Sequence, residues 1–405
     1  MSVAFEAPGV VLHHGDCIEV MRTLPDASVD AVVTDPPYGL EFMGKDWDGA
    51  DGFRRSLNEA DAGRESVFGR TSRTSPEYRT ESKARAGMQK GGISAADGMP
   101  SFLGGLNPKC LACGKWQRGS NPCSCDAPEF TNERLPRLHA FQEWCEAWSR
   151  EALRVLRPGG FILAFGGSRT WHRLAAAIED AGFEIRDSIA WLYGSGFPKH
   201  PNVLKPAFEP IVVGRKPMIG TLVANQTRYR TGALNIDANR TEVADTQLAE
   251  KYASVQNAGA RSNTVYGSDE RDRAGSEPHP GGRWPTNVLV DGSSADDLGM
   301  NTARYFPTFR YEPKAGSDER PSVDGVLHPT VKPLELMRWL VRLVTPAEGT
   351  ILEPFAGSGT TLEAALLEGF NVIGIERATE YLPLIEARLS KPLQVAMFGD
   401  WEDAS

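Results

Sequence analysis

Long apolar runs are missing from this 405-residue chain, and none approaches the ~18–20 residues that a membrane-spanning helix requires. The opening residues also lack the basic patch and apolar stretch of a secretory leader, so a cytoplasmic protein is expected. Basic excess is missing as well. The formal net charge is −9, which excludes a chain that is cationic throughout, although placement of charge matters more than its sum. Cysteine is scarce. Six are present and four of them fall between positions 110 and 125, so no disulfide framework is spread along the chain. What is left is the composition of an ordinary globular protein, long enough for one large domain with insertions or for two to three domains.

Against that plain background stands Asp35-Pro36-Pro37-Tyr38, which closes the apolar run Val29–Thr34. A strand ending this way can hold a flat, amine-bearing ring. The Asp35 carboxylate and the Pro36 carbonyl can accept hydrogen bonds from an exocyclic amine, and Tyr38 can stack on the ring. The diproline fixes φ and donates no N–H, so the turn is rigid before any ligand arrives. An ordinary strand-ending turn is the alternative, since Asp-Pro is common turn chemistry.

The second feature lies more than three hundred positions later. Thr350-Ile351-Leu352-Glu353 reads as a short strand, followed by Pro354-Phe355-Ala356-Gly357-Ser358-Gly359-Thr360-Thr361 and a helical stretch to Leu367. The glycines permit close approach of a ligand at the mouth of a parallel sheet. The third glycine of a dinucleotide fingerprint is absent, with Leu362 in its place, which argues against a nicotinamide or flavin site. The next strand, Asn371–Glu376, ends in a carboxylate placed to bind ribose hydroxyls. An adenosine-containing cofactor without a pyrophosphate fits this set, and S-adenosylmethionine fits best.

Together these residues resemble the exocyclic-amino DNA methyltransferases, in the permuted group called beta class, phage and prokaryotic branch. In that group the catalytic motif precedes the cofactor motif, with target recognition between them. Thr34–Tyr38 matches the catalytic motif, which makes Asp35, Pro36, Pro37 and Tyr38 the catalytic set. Glu353–Thr361 matches the cofactor loop, with Glu353 where the family more often carries Asp. His328-Pro329-Thr330-Val331-Lys332-Pro333 matches the segment upstream of that loop, and His14-Gly15-Asp16-Cys17 the segment before the catalytic strand. Further similarity covers Arg157–Leu163, Gly194–Lys199 and Gly232–Asp237. The resemblance implies that Asp16, Thr330, Lys332, Glu353, Phe355, Gly357, Ser358, Gly359, Thr360, Thr361 and Glu376 bind the cofactor. It also implies an α/β fold built on a Rossmann-like methyltransferase sheet with permuted motif order. The implied partner is double-stranded DNA, with room for a homodimer and a cognate restriction enzyme and no role for a membrane. The Asp form of the motif favours adenine N6 as target. Cytosine N4 is the alternative, and a non-catalytic DNA-binding protein that kept the fold is a second.

Residues 53–120 hold 12 Lys and Arg against 6 Asp and Glu, interleaved with Gly, Ser and Thr. Arg54, Arg55, Arg64, Arg70, Arg73, Arg79, Lys83, Arg85 and Lys90 give this stretch the character of a phosphate-neutralising arm, or else of a solvated insertion. Cys110, Cys113, Cys123 and Cys125 follow in a Gly-, Asn- and Pro-rich context that suggests a structural zinc knuckle, with free thiols as the alternative. Cys17 and Cys145 read as small apolar core residues.

Periodicity predicts a helix over 139–156, a strand over 161–165, a helix over 171–180 and a strand over 184–193, and it fades over 205–320. Arg228, Tyr229, Arg230, Asn235, Asn239 and Arg240 carry donor types that read base edges. The resulting division assigns 1–50 to the catalytic-motif part of the methyltransferase domain and 51–130 to the basic insertion with its cysteines. Residues 131–215 continue the domain, 216–324 form the target-recognition region, 325–395 bind the cofactor, and 396–405 are a tail.

Overall fold

The computed structural model describes residues 2–40, 48–62, 109–115, 117, 121–130, 134–194, 196, 198, 201–241, 282–298, 306–309, 322–323 and 325–390. The chain divides into two compact units, one of residues 1–38 with 141–405 and the other of residues 39–140.

The first unit is built on a mixed α/β plan. Its strands are β1 (Ser2–Ala7), β2 (Val10–His14), β3 (Val29–Thr34), β4 (Leu156–Phe165), β5 (Glu184–Leu192), β6 (Phe208–Arg215), β7 (Val288–Asp291), β8 (Thr308–Phe309), β9 (Ser322–Val323), β10 (Val326–Leu327), β11 (Thr350–Glu353) and β12 (Asn371–Glu376). Its helices are α1 (Cys17–Thr23), α3 (Arg134–Val155, of which this unit holds the part from Phe141), α4 (Trp171–Asp180), α5 (Leu222–Tyr229), α6 (Gly292–Leu298), α7 (Leu334–Val344), α8 (Thr360–Leu367) and α9 (Leu382–Leu389). The second unit holds α2 (Ala50–Ala62) and the cysteine loop.

Ten strands form one sheet in the order β1-β2-β12-β11-β3-β4-β6-β5-β7-β8, mostly parallel. The antiparallel pairs are β1–β2, β4–β6 and β5–β6. All six residues of β3 are buried, as a central strand covered on both faces requires. Ala31 and Val33 join a core cluster with Phe161, Leu163 and Phe165 of β4 and with Leu336, Leu340 and Val344 of α7. On α7 the buried residues recur at 336, 337, 340, 341 and 344, the stripe by which an amphipathic helix docks on a sheet.

β11 and β3 are neighbours although 320 positions separate the paired residues Ala31 and Ile351, and their onward connections diverge. From β11 the chain passes through α8 to β12 on one side; from β3 it returns to the sheet at β4 on the other. That reversal opens a crevice at the carboxyl ends of β11 and β3, where open α/β sheets bind ligands. Two buried carboxyls pin the pair. At one end Asp30 accepts from Thr350 N at 2.8 Å and from Arg157 of β4. At the other, Glu353 accepts from Thr34 Oγ1.

Candidate functional site

The carboxyl end of β3 delivers Asp35 into the crevice, and three other elements converge on it. β6 runs antiparallel to β4, with Ile211 opposite Phe165, so Glu209 at its start lies beside the carboxyl end of β4. The segment before α7 brings Lys332. Its ammonium lies 2.6 Å from Asp35 Oδ2, 3.3 Å from Glu209 Oε2 and 3.2 Å from the Tyr38 hydroxyl. It also lies over the Phe165 and Tyr38 rings, at 4.7 and 5.5 Å from their centroids. Tyr38 donates to Asp35 Oδ1 at 2.9 Å and approaches Glu209 Oε2 at 3.1 Å. Burial pushes the Tyr38 hydroxyl well above its ordinary range, with the Asp35 and Glu209 charges adding to the rise, so it stays a donor. Burial alone would lower Lys332, but the two facing carboxylates more than offset it and keep the ammonium charged. The sequence marks Lys332 only by its match to a cofactor-side segment; here it bridges Asp35 and Glu209.

Tyr38 is held from behind. Thr170 Oγ1 donates to its carbonyl at 2.7 Å, and a Cβ at Gly167 would come within 3.0 Å of the ring, so glycine is needed there. Pro36 is buried and Pro37 partly so.

Across the crevice the loop after β11 is shaped by Gly357 and Gly359, at φ 54° and 78°, backbone that L side chains rarely adopt. A Cβ on Gly357 would also meet His328 Nε2 at 3.1 Å. Glu376, at the end of β12, accepts from Gly357 N and Ala378 N, each at 2.7 Å, and so holds the loop to its strand. Burial pushes its carboxyl up to about 7 despite those donors. Asp16 caps α1 through Ile18 N at 3.0 Å and lies 3.6 Å from the Arg377 guanidinium. Thr330 is exposed, with its carbonyl against His328 Nδ1. The His328 ring meets Tyr381 edge to face at 4.6 Å. Glu376 is thus joined to the glycine loop, and Asp16 to the neighbour of Glu376, at the carboxyl ends of β12 and β2.

Other expected cofactor residues face inward. Glu353 is 1% exposed and accepts from Thr34 Oγ1, from Thr361 Oγ1 at 2.6 Å and from Phe355 N at 3.0 Å, so it joins the catalytic strand to the glycine loop. The Phe355 ring packs 5.4 Å from both Trp144 and Trp148 of α3. Ser358 and Thr360 are buried and share a hydrogen bond of 3.0 Å.

The sequence does not single out Glu209 or Gly167, and it gives Thr34 only as the first position of the motif. Glu209 carries one legible signal, a lone carboxylate entering an otherwise apolar strand. Of the residues expected to read bases, Asn235 gives its amide to the carbonyls of Arg342 and Thr345, and Asn239 gives its amide to that of Asn235. Both are therefore scaffold. Arg240 pairs with Asp237 at 2.7 Å and lies over the Trp284 ring. Arg54 pairs with Asp51 at 3.2 Å on α2, whereas Arg64, Arg70, Arg73, Arg79, Lys83, Arg85 and Lys90 lie outside the described residues. The sulfurs of Cys110, Cys113, Cys123 and Cys125 come together in the second unit. Cys17 and Cys145 are buried, as core residues should be. No described helix is long and apolar enough to cross a membrane.

A family model described as DNA methylase matches residues 29–387. The Type II methyltransferase M.HindIII of Haemophilus influenzae is 24% identical over 391 residues, spanning 90% of each chain. The Type II methyltransferase M.ScaI of Streptomyces caespitosus is 36% identical over 117 residues, 28% of this chain and 37% of that one. Among solved structures, the PvuII DNA methyltransferase (cytosine-N4-specific) aligns with a TM-score of 0.46 at 14% identity, covering 95% of this chain and 88% of that one. The M1.HpyAVI complex with SAM aligns at 0.42 and 15% identity, covering 94% and 99%.

Proposed function

The chain belongs to the DNA methylase family, and on that premise we propose that it methylates the exocyclic N6 amine of adenine in double-stranded DNA, with S-adenosylmethionine as donor. The observation that carries this reading is the position of Asp35 at the end of β3, directly across the switch-point crevice from the Gly357–Gly359 loop at the end of β11. Asp rather than Ser or Asn at position 35 favours adenine over cytosine and over RNA or protein.

The residues present fit the donor. Gly357 takes a left-handed backbone that turns its N–H onto Glu376, and the Glu376 carboxylate keeps lone pairs beyond those used by Gly357 N and Ala378 N. Asp16, Glu376 and the 328–332 segment would hold it. When bound, S-adenosylmethionine supplies an electrophilic methyl on a sulfonium.

Asp35 and the Pro36 carbonyl orient the amine. The target base leaves the stack at a cost of a few kcal/mol. Its amine then donates to Asp35 and the Pro36 carbonyl, which aims the nitrogen lone pair and stabilises the positive charge that grows on nitrogen as the bond forms. Both Asp35 oxygens are engaged beforehand, by Tyr38 and Lys332. Glu209 offers an acceptor to each of those donors, so neither is orphaned when the amine takes its place. The surplus proton departs after transfer, and no strong base is needed. Much of the rate then comes from positioning.

Incubation with methyl-labelled S-adenosylmethionine and unmodified mixed-sequence DNA, followed by digestion to nucleosides, tests the proposal. N6-methyladenine is the expected product. N4-methylcytosine would move the target ring and refute the adenine assignment. Absence of label with cofactor bound would refute the catalytic reading.

A further inference from the structure

We propose that Cys110, Cys113, Cys123 and Cys125 form one tetrahedral site for a structural zinc ion in the second unit, a role separate from methyl transfer. The four sulfurs all lie within 4.8 Å of one another. Cys110 Sγ is 3.9 Å from Cys125 Sγ, and Cys113 Sγ is 3.5 Å from Cys123 Sγ. Zn–S bonds of about 2.3 Å in a tetrahedron put ligand sulfurs about 3.8 Å apart, so these two pairs stand near zinc spacing and the other pairs lie within an ångström of it. They are free thiols, well beyond the ~2.05 Å of a disulfide. Among the described residues no histidine or carboxylate joins them, and an all-sulfur tetrahedral set selects zinc over the hard cations. A multi-iron cluster would spread its cysteines farther.

The backbone is arranged for the same purpose. Gly114 N donates to Cys110 O at 2.9 Å, and Cys110 N donates to Lys115 O at 2.8 Å, which makes a tight turn around the first pair. Gly114 has φ 69°, a left-handed position that favours glycine. Cys125 N lies 3.5 Å from Cys123 Sγ and points a donor at a sulfur that would carry charge as a thiolate ligand. Leu111 N donates to Glu129 O at 2.7 Å, and Cys110 pairs with Phe130, so the ends of the loop meet.

Beyond those backbone bonds, the described residues of the loop offer little core to hold this shape. Among its described residues only Cys110 is buried, and Leu111 is 64% exposed. A segment that buries so little apolar surface cannot offset its ordering entropy, and four metal–thiolate bonds supply what the missing core does not.

The test is elemental analysis of the full chain purified without chelator, with one zinc per chain expected. Cys113→Ser and Cys123→Ser should each lose that zinc. Replacement by cobalt in the wild-type chain should give the visible thiolate-to-metal absorption of a tetrahedral sulfur site, a readout independent of any variant's folding. In the zinc-loaded protein a thiol reagent should find the four cysteines protected, and a chelator should expose them together. Zinc retained by both serine variants, a coloured iron protein, or four reactive thiols in protein supplied with zinc would each overturn the assignment.

Discussion

Replacing Glu353 by Gln isolates the group that joins the catalytic strand to the glycine loop. Burial raises its carboxyl from 4.5 to about 8, although Thr34, Thr361 and Phe355 N all donate to it. The folded chain therefore prefers the protonated form. Stability from this group is fully present below pH 4.5 and is lost as pH rises through about 8. At about 1.4 kcal/mol per pH unit the whole effect is on the order of 5 kcal/mol, of which about half falls between pH 5 and 7. Gln does not titrate, keeps an oxygen for Phe355 N, and meets two threonine hydroxyls that can rotate to donate or accept. Urea unfolding of both proteins at pH 5, 6, 7 and 8 gives the comparison. The wild type should lose about 2–3 kcal/mol relative to Glu353→Gln between pH 5 and 7. Glu376, pushed up to about 7, titrates in both proteins and cancels from the difference. Parallel pH profiles would show that Glu353 is ionised in the fold, and the argument from burial would fail.

Asp35→Ala should abolish methyl transfer to DNA and leave S-adenosylmethionine binding by calorimetry within a few-fold; transfer at the parent rate would remove Asp35 from the chemistry. Glu209→Gln keeps the shape but weakens one charge-assisted acceptor for Lys332 and Tyr38, a change of about 1.5–3 kcal/mol, so kcat should fall about tenfold to a hundredfold while the KM for cofactor holds. Unchanged kcat would mean that Glu209 does not position those donors. Gly374→Ala places a Cβ 2.7 Å from Cδ2 of Leu362, which is fully buried and cannot retreat, so denaturation should show a loss of about 1–3 kcal/mol, and an unshifted midpoint would contradict the packing.

That last contact also bears on the glycine loop. Leu362 stands in place of the third fingerprint glycine, the one that in that fingerprint permits close helix–strand packing. The packing is there, with the glycine moved to the strand at Gly374. Elements with clean periodicity or a firm stop were legible: β3, α4 and β12 have the expected limits, and β5 ends one residue early. β4 begins at Leu156 rather than 161, because Arg157-Pro158-Gly159-Gly160 looks like a turn alone yet is carried as strand beside β3. β6 lay hidden in the stretch where periodicity fades. Pro210 and Gly214 obscure its apolar run, and pairing with β4 on one side and β5 on the other overrides that local weakness. Glu209 was lost with it. The motif residues themselves were legible as types, but which of them face a ligand and which face one another depends on contacts more than three hundred positions apart.

Those long contacts explain how a permuted order of motifs still gives one site. β3 and β11 pair through few residues, and strands so short could slip. A slip by one residue would turn every side chain of β3 to the opposite face. Asp30 would then lose Thr350 N, and Glu353 would lose Thr34 while keeping Thr361 and Phe355 N, so two buried carboxyls would each be short of a donor at once. Each unsatisfied buried group costs about 1–3 kcal/mol, so the wrong register is penalised at both ends of the pair. Asp35 follows Thr34 directly, and the glycine loop follows Glu353 directly. The bond between Thr34 and Glu353 therefore ties the position of Asp35 to that of the glycine loop, whichever of the two the chain encodes first.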